Sequence, residues 1–260
     1  MTSIPMPISW SAYNNYMQCP GKYKAISLMH KPDVQYTHAR TVGHLIETIF
    51  QNVLKNGWDL ETCLVNLGPI LDKLTKETAH RAFSRAQVIT QVQNNLFESY
   101  DRYMGMFGPY LSTHELYTET NLGDDSIEAR LDVHLYREGQ SIIIDGKSSK
   151  HGKKYITPDQ LQFQGYCHHK QMDEPAWKMY YFHYAIGEEE EVIPDSSWYA
   201  RIDRGVQAML HDTEFEILKE KDYFCWYCAL KSSCVTACKQ TKPRKDSLPR
   251  SYGEVLELEL

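Results

Sequence analysis

Residues 128–149, EARLDVHLYREGQSIIIDGKSS, constrain the fold more than any other stretch of the chain. Apolar residues recur at every second position, the period of a strand rather than a helix. Glu138-Gly139 interrupts them with a tight-turn signal. The spacing predicts a β-hairpin. On its first strand Ala129, Leu131, Val133 and Leu135 share one face, and Arg130, Asp132, His134 and Tyr136 share the other. On its second strand Ile143, Asp145 and Lys147 lie opposite Ile142, Ile144 and Gly146. A lone hairpin is marginal in water, so the flanking segments must supply the rest of a core.

Those flanks alternate helix and strand. SWSAYNNYMQCPGKYKAISLMH begins at a serine cap and is interrupted at Pro20-Gly21. ARTVGHLIETIFQNVLKNG carries Val42, Leu45, Ile46, Ile49, Phe50, Val53 and Leu54 at helical spacing and stops at Gly57. A further helical stretch is expected from about Gly68 to Met106. After the hairpin, TPDQLQFQGYCHHKQM opens a helix with Thr157 as cap, Pro158 in the first turn and Gln160 completing a capping box. AWKMYYFHYAI reads as a strand, and PDSSWYARIDRGVQAMLHD as another capped helix. The order gives a mixed α/β core with no internal repeat and no linker. Residues 1–260 are expected to form one domain: 1–110 mainly helical, 111–215 the α/β core, 216–240 a cysteine-rich segment and 241–260 a tail.

Polar side chains at the ends of apolar strands are costly unless they bind something. Asp132 ends ARLD, and Asp145-Gly146-Lys147 ends SIIIDGK on the neighbouring strand. Two carboxylates so placed can hold a hard divalent cation such as Mg²⁺ or Mn²⁺. Lys147 points into the same site as Asp145, where an ammonium can orient the attacking water or offset charge on a phosphate. A D-x-K triplet alone is short and common, but it has companions. His44 and Glu47 share a helix face beside the apolar stripe. Gln162 and Tyr166, four apart, project together and suit contacts to phosphate, sugar or base edges.

A net charge of −6 speaks against a uniformly basic nucleic-acid binder. Lys150, Lys153 and Lys154 nevertheless form a local basic patch directly after Lys147. GEEEE at 187–191 reads as a solvated turn, His168-His169 as a surface pair, and the tail EVLELEL as a frayed end. No apolar run approaches the roughly 20 residues that span a bilayer, and no membrane partner is expected. MTSIPMPISW lacks a signal-peptide pattern, so the cytoplasm is the expected compartment, or the host cytoplasm if the gene is phage-borne.

Four of the seven cysteines crowd into CWYCALKSSCVTACK, as Cys225, Cys228, Cys234 and Cys238. In a reducing compartment such a cluster points to metal rather than disulfides. A local zinc site on these four and an iron–sulfur site that draws on a distant cysteine are both open on spacing. Cys63 and Cys167 read as buried thiols.

Taken in order, these motifs resemble the PD-(D/E)xK nuclease superfamily, and within it the RecB-type nuclease domains and Cas4-like exonucleases. The resemblance rests on Ser11 to Cys19-Pro20, His44, Asp132, Asp145-Gly146-Lys147 and Gln162 to Tyr166, and runs on to CWYCALKSSC. It implies a restriction-endonuclease-like α/β fold and metal-dependent hydrolysis of DNA, on single strands or ends. His44, Asp132, Asp145 and the Gly146 carbonyl would ligate Mg²⁺ or Mn²⁺, with Glu47 near a second ion or its water. Lys147 would act on the water, and Gln162 and Tyr166 would support the site. Where the family usually carries a glycine four residues before the histidine, this chain has Arg40. The resemblance also implies a [4Fe–4S] cluster on Cys19, Cys225, Cys228 and Cys234, fastening the two ends of the chain. No phosphate-loop motif is present, so a helicase, recombinase or integrase partner would supply unwinding or handling of ends. A Cas4-like processing subunit and a non-catalytic DNA-binding module are the competing readings.

Overall fold

The expected hairpin lies in the middle of a six-stranded mixed sheet. The computed structural model describes residues 4–28, 36–75, 81–149 and 157–216. In chain order it contains β1 (Ile8–Ser9), α1 (Trp10–Gln18), α2 (Pro20–Tyr23), β2 (Tyr36–Thr37), α3 (His38–Asn56), α4 (Leu60–Leu74), β3 (Arg81–Ala82) and α5 (Arg85–Phe107). There follow β4 (Glu115–Gly123), β5 (Ile127–Tyr136), β6 (Ile142–Lys147), α6 (Asp159–Met172), β7 (Lys178–His183), β8 (Glu188–Val192) and α7 (Ser196–His211).

β5 and β6 run antiparallel, with Val133 opposite Ile144 and Leu135 opposite Ile142. The turn between them passes through Gly139 at φ 68°, a conformation that costs glycine little. β6 pairs parallel with β7, whose outer edge carries β8. β4 lines one edge of β5, and β1 pairs parallel with the start of the other. The sheet is covered on both faces. Val42, Ile46, Phe50, Val88, Leu96 and Tyr103 from α3 and α5 join Ile142, Ile144 and Phe182 in one core. Ile8, Tyr13, Leu161, Phe163, Ile202 and Val206 join Ile143, Met179 and Tyr181 in the other, under α1, α6 and α7. This is the mixed sheet flanked by helices that the motif order implied.

Several local expectations change. The helix expected from about Gly68 to Met106 is two helices, α4 and α5. Asp59 accepts the Thr62 N–H at 2.8 Å and starts the first; Ser84 accepts the Gln87 N–H at 3.4 Å and starts the second. GEEEE is not a turn: its glutamates form β8, an edge strand that can keep carboxylates in water. His168 is not on the surface but fully buried. Cys63 and Cys167 are buried, in line with their reading as core thiols.

The hairpin itself departs from simple alternation. Ala129 and Leu131 belong to the core under α1 and α6, whereas Val133 and Leu135 belong to the core under α3 and α5. The four therefore do not share one face. The change falls at Asp132, where the β4–β5 ladder skips the facing pair Glu119 and Asp132. Glu119 there holds φ 52°, a left-handed conformation that only a few per cent of non-glycine residues adopt. Such irregularities re-aim side chains, and this one sits at the first acid of the candidate site.

Candidate active site

Asp132 and Asp145 occupy the next positions beyond the Val133–Ile144 pair, on adjacent strands. The Gly146 N–H donates to Asp132 Oδ2 at 2.9 Å, tying the first acid to the strand that carries the second. Gly146 has no room for a side chain, since a Cβ would lie 2.4 Å from the Tyr184 ring. Lys147 Nζ contacts Asp145 Oδ1 and packs 5.1 Å from the centre of the Tyr181 ring. The acid–acid–lysine set read from the sequence is thus gathered where the β5–β6 pairing ends, at the middle of β5 and the end of β6.

α6 approaches this set from the side of Asp145. Gln160 Nε2 and Gln164 Nε2 both donate to Asp145 Oδ2, at 2.6 and 3.0 Å. Lys147 Nζ also donates to Gln160 Oε1 at 3.0 Å, closing a lysine–aspartate–glutamine triangle. Gln160 therefore does not complete a capping box; its amide is spent on Asp145 and Lys147, and Thr157 Oγ1 donates instead to Asp159. The helix start is secured by Tyr181 on β7, whose hydroxyl accepts the Leu161 N–H at 3.2 Å and donates to the Thr157 carbonyl at 3.0 Å.

The expected glutamine and tyrosine of this helix look elsewhere. Gln162 Nε2 donates to the Ile193 carbonyl at 2.8 Å, and its Oε1 accepts the Asp195 N–H at 3.2 Å. The Tyr166 hydroxyl donates to Asp203 on α7. Gln162 holds α6 against the β8–α7 connection and Tyr166 holds it against α7, rather than either meeting Asp132 or Asp145. QLQFQ presents two helix faces, and only the position of β6 decides which one reaches the site; this is why Gln160 and Gln164 escape a reading by spacing alone.

α3 approaches from the side of Asp132. It runs unbroken through Arg40 and Gly43, and Gly43 leaves room for Ser148 Oγ, which a Cβ would meet at 3.3 Å. His44 and Glu47 are half-buried beside the core stripe, as their spacing required. Gln51 Nε2 donates to Glu47 Oε1 at 3.1 Å and reaches the Asp132 backbone carbonyl at 3.4 Å. Burial pushes the Glu47 carboxyl above its usual range, and the charges of Asp145 and Glu119 add to this. Asp132 is pushed up further, first by loss of water, then by Asp145 and Glu47. The His44 imidazole is pushed down by burial and by Arg40 and Arg130 nearby. Arg130 in turn pairs with Glu119.

Hard oxygen donors that repel one another, with an imidazole alongside, suit a small divalent cation, because its charge would relieve the repulsion. Among the described residues, no three His, Cys, Asp or Glu side chains converge into a ready ion-holding group. The fit therefore rests on the Asp132–Asp145 pair and its surroundings. Cys19 lies half-buried between α1 and α2. Cys225, Cys228, Cys234, Lys150, Lys153 and Lys154 lie outside the described residues. No helix among the described residues is long and apolar enough to cross a membrane.

A family model for the PD-(D/E)XK nuclease superfamily matches residues 7–235. No curated protein matches the chain. Among solved structures, the crystal structure of SSO0001 is 13% identical, covering 89% of this chain and 96% of that one with a TM-score of 0.34.

Proposed function

The chain belongs to the PD-(D/E)XK nuclease superfamily, and from that membership we propose a metal-dependent DNA exonuclease acting on single strands or ends. The observation that carries the reading is the meeting of Asp132, Asp145 and Lys147 at the end of the β5–β6 hairpin. Asp132 and Asp145 would hold Mg²⁺ or Mn²⁺, with His44, Glu47 and the Gly146 carbonyl as further donors. Such an ion supplies positive charge to a scissile phosphate and acidity to a bound water. Lys147 would orient the attacking water and offset charge developing on the phosphate. Gln162 and Tyr166 support the site by fixing α6 to the elements behind it. Lys150, Lys153 and Lys154, directly after Lys147 in sequence, supply backbone contacts to DNA.

The proposal includes a structural [4Fe–4S] cluster on Cys19, Cys225, Cys228 and Cys234. Its support is that residue 216 ends beside Cys19's neighbourhood: the Gly21 N–H donates to the Glu216 carbonyl at 3.1 Å. A Cas4-like role in processing ends for an integration or recombination partner is the finer reading within this class. The test is cleavage of end-labelled single-stranded and duplex DNA with Mg²⁺ or Mn²⁺ by wild type, Asp145→Ala and Lys147→Ala. Cleavage by wild type alone is expected. Equal cleavage by all three would remove the assigned site.

A further inference from the structure

Resting on that metal-dependent reading, we propose that Gln160 and Gln164 are positioning residues that hold Oδ2 of Asp145 and thereby present Oδ1 to the cation. Both amide nitrogens converge on Oδ2, at 2.6 and 3.0 Å, and neither touches Oδ1. The other oxygen meets Lys147. A carboxylate with one oxygen doubly restrained cannot rotate freely, so the direction of its second oxygen is fixed before any ligand arrives. Amides suit the task because they donate without bringing a positive charge that would compete with a cation.

Gln160 has a second part. Its Oε1 accepts from Lys147 Nζ at 3.0 Å, so the ammonium keeps an acceptor beside the site when a cation takes Asp145 Oδ1. Gln164 is a costly residue for a core: it is 2% exposed, and its Oε1 has no hydrogen-bond partner among the described residues. Packing alone would be better served there by an apolar side chain. Its bond to Asp145 is the one interaction that accounts for it. The backbone is arranged to permit the reach. Gly165 lets α6 close on β7, where a Cβ would come within 2.6 Å of Met179 Sδ.

The test titrates Mn²⁺ alone, without DNA, into wild type, Asp145→Asn, Gln164→Met and Gln160→Met, followed by the electron paramagnetic resonance signal of free Mn²⁺. Each variant is also melted without metal. We expect Mn²⁺ affinity to fall roughly tenfold or more in Gln164→Met and in Gln160→Met. The metal-free melting temperature of Gln164→Met should be unchanged or higher, which a merely structural glutamine would not give. Should Gln164→Met fail to fold, Gln160→Met, on the half-buried first turn, carries the comparison. If wild type binds Mn²⁺, Asp145→Asn does not, and the glutamine variants bind within twofold of wild type, the positioning role is overturned and the metal reading stands. If Asp145→Asn binds as wild type does, or wild type binds none, both fall together.

Discussion

Asp132 has one backbone donor, the Gly146 N–H, while Asp145 and Glu47 place like charge beside it. Without a cation this is a destabilising arrangement, and its removal should show. Metal-free Asp132→Asn can still accept from Gly146, so at neutral pH it should melt above wild type, by about 2–4 °C for each 1 kcal/mol of repulsion relieved, while cleavage falls to background. Gly146→Ala should move stability the other way. Its Cβ would meet the buried Tyr184 ring at 2.4 Å, costing about 1–3 kcal/mol by overpacking and displacing the N–H that Asp132 uses. Differential scanning of the two variants separates them: both lose activity, one with a higher and one with a lower melting temperature. At this scale the sequence is a good guide to charge and a poor one to direction. Asp132, Asp145 and Lys147 stand out because ionic groups at the ends of apolar strands need a reason. Gln160 and Gln164 do not, because a glutamine on a helix is unremarkable until the strand it faces is known.

Elements with a strong apolar period are the legible ones. α3 follows its stripe from His38 to the break at Gly57, where φ is 64°, and β6 and β7 follow theirs, whereas β5 keeps its period only on either side of Asp132. β4 escapes notice because seven of its nine residues alternate between exposed and half-buried, as suits an edge strand, leaving no apolar face to find. The division between α4 and α5 is legible in Ser84, a helix cap that a long helical pattern conceals. The seam between α6 and β5 carries a further consequence. His168 and His134 meet edge to face with ring centres 5.2 Å apart, both buried. Burial lowers His134 to about 3, with His168 adding to the shift, and burial lowers His168 as well. Their folded-state values lie below the unfolded one near 6.5, so their contribution is complete above that pH and is lost progressively as pH falls from there toward the folded-state values. At pH 5 keeping His134 neutral in the folded state costs about 2 kcal/mol. Melting temperatures at pH 7.5 and pH 5 should therefore diverge more in wild type than in His134→Phe. An equal drop in both would exclude His134 as a source of acid sensitivity.

Across the whole molecule, the two ends of the described chain come together. Tyr16 donates its hydroxyl to Asp212 at 3.1 Å, Lys24 Nζ donates to the Glu214 carbonyl at 3.3 Å, and the Phe215 ring packs on Tyr23 with centres 5.8 Å apart. α1 and α2, which flank Cys19, are thus the surface against which the chain turns before its cysteine-rich segment. A cluster joining Cys19 to Cys225 and beyond would close a loop of more than two hundred residues, and covalent closure on that scale is worth about 5 kcal/mol in the chain-entropy picture. The three cysteines of the described residues differ in their surroundings. Cys63 and Cys167 are fully buried in the two opposite cores, and burial raises both thiols, the first to about 11, which disfavours thiolate and hence ligation. Cys19 is half-exposed at a helix junction. Anaerobically purified wild type should accordingly be brown with broad visible absorption, and Cys63→Ser and Cys167→Ser should keep that colour. Cys19→Ser should lose it and melt lower by about 10 °C or more. A colourless wild type that carries one zinc, retained in Cys19→Ser and lost in Cys238→Ser, would instead confine the metal to the C-terminal four and leave the two ends joined by non-covalent contacts such as Tyr16–Asp212, Gly21–Glu216 and Lys24–Glu214.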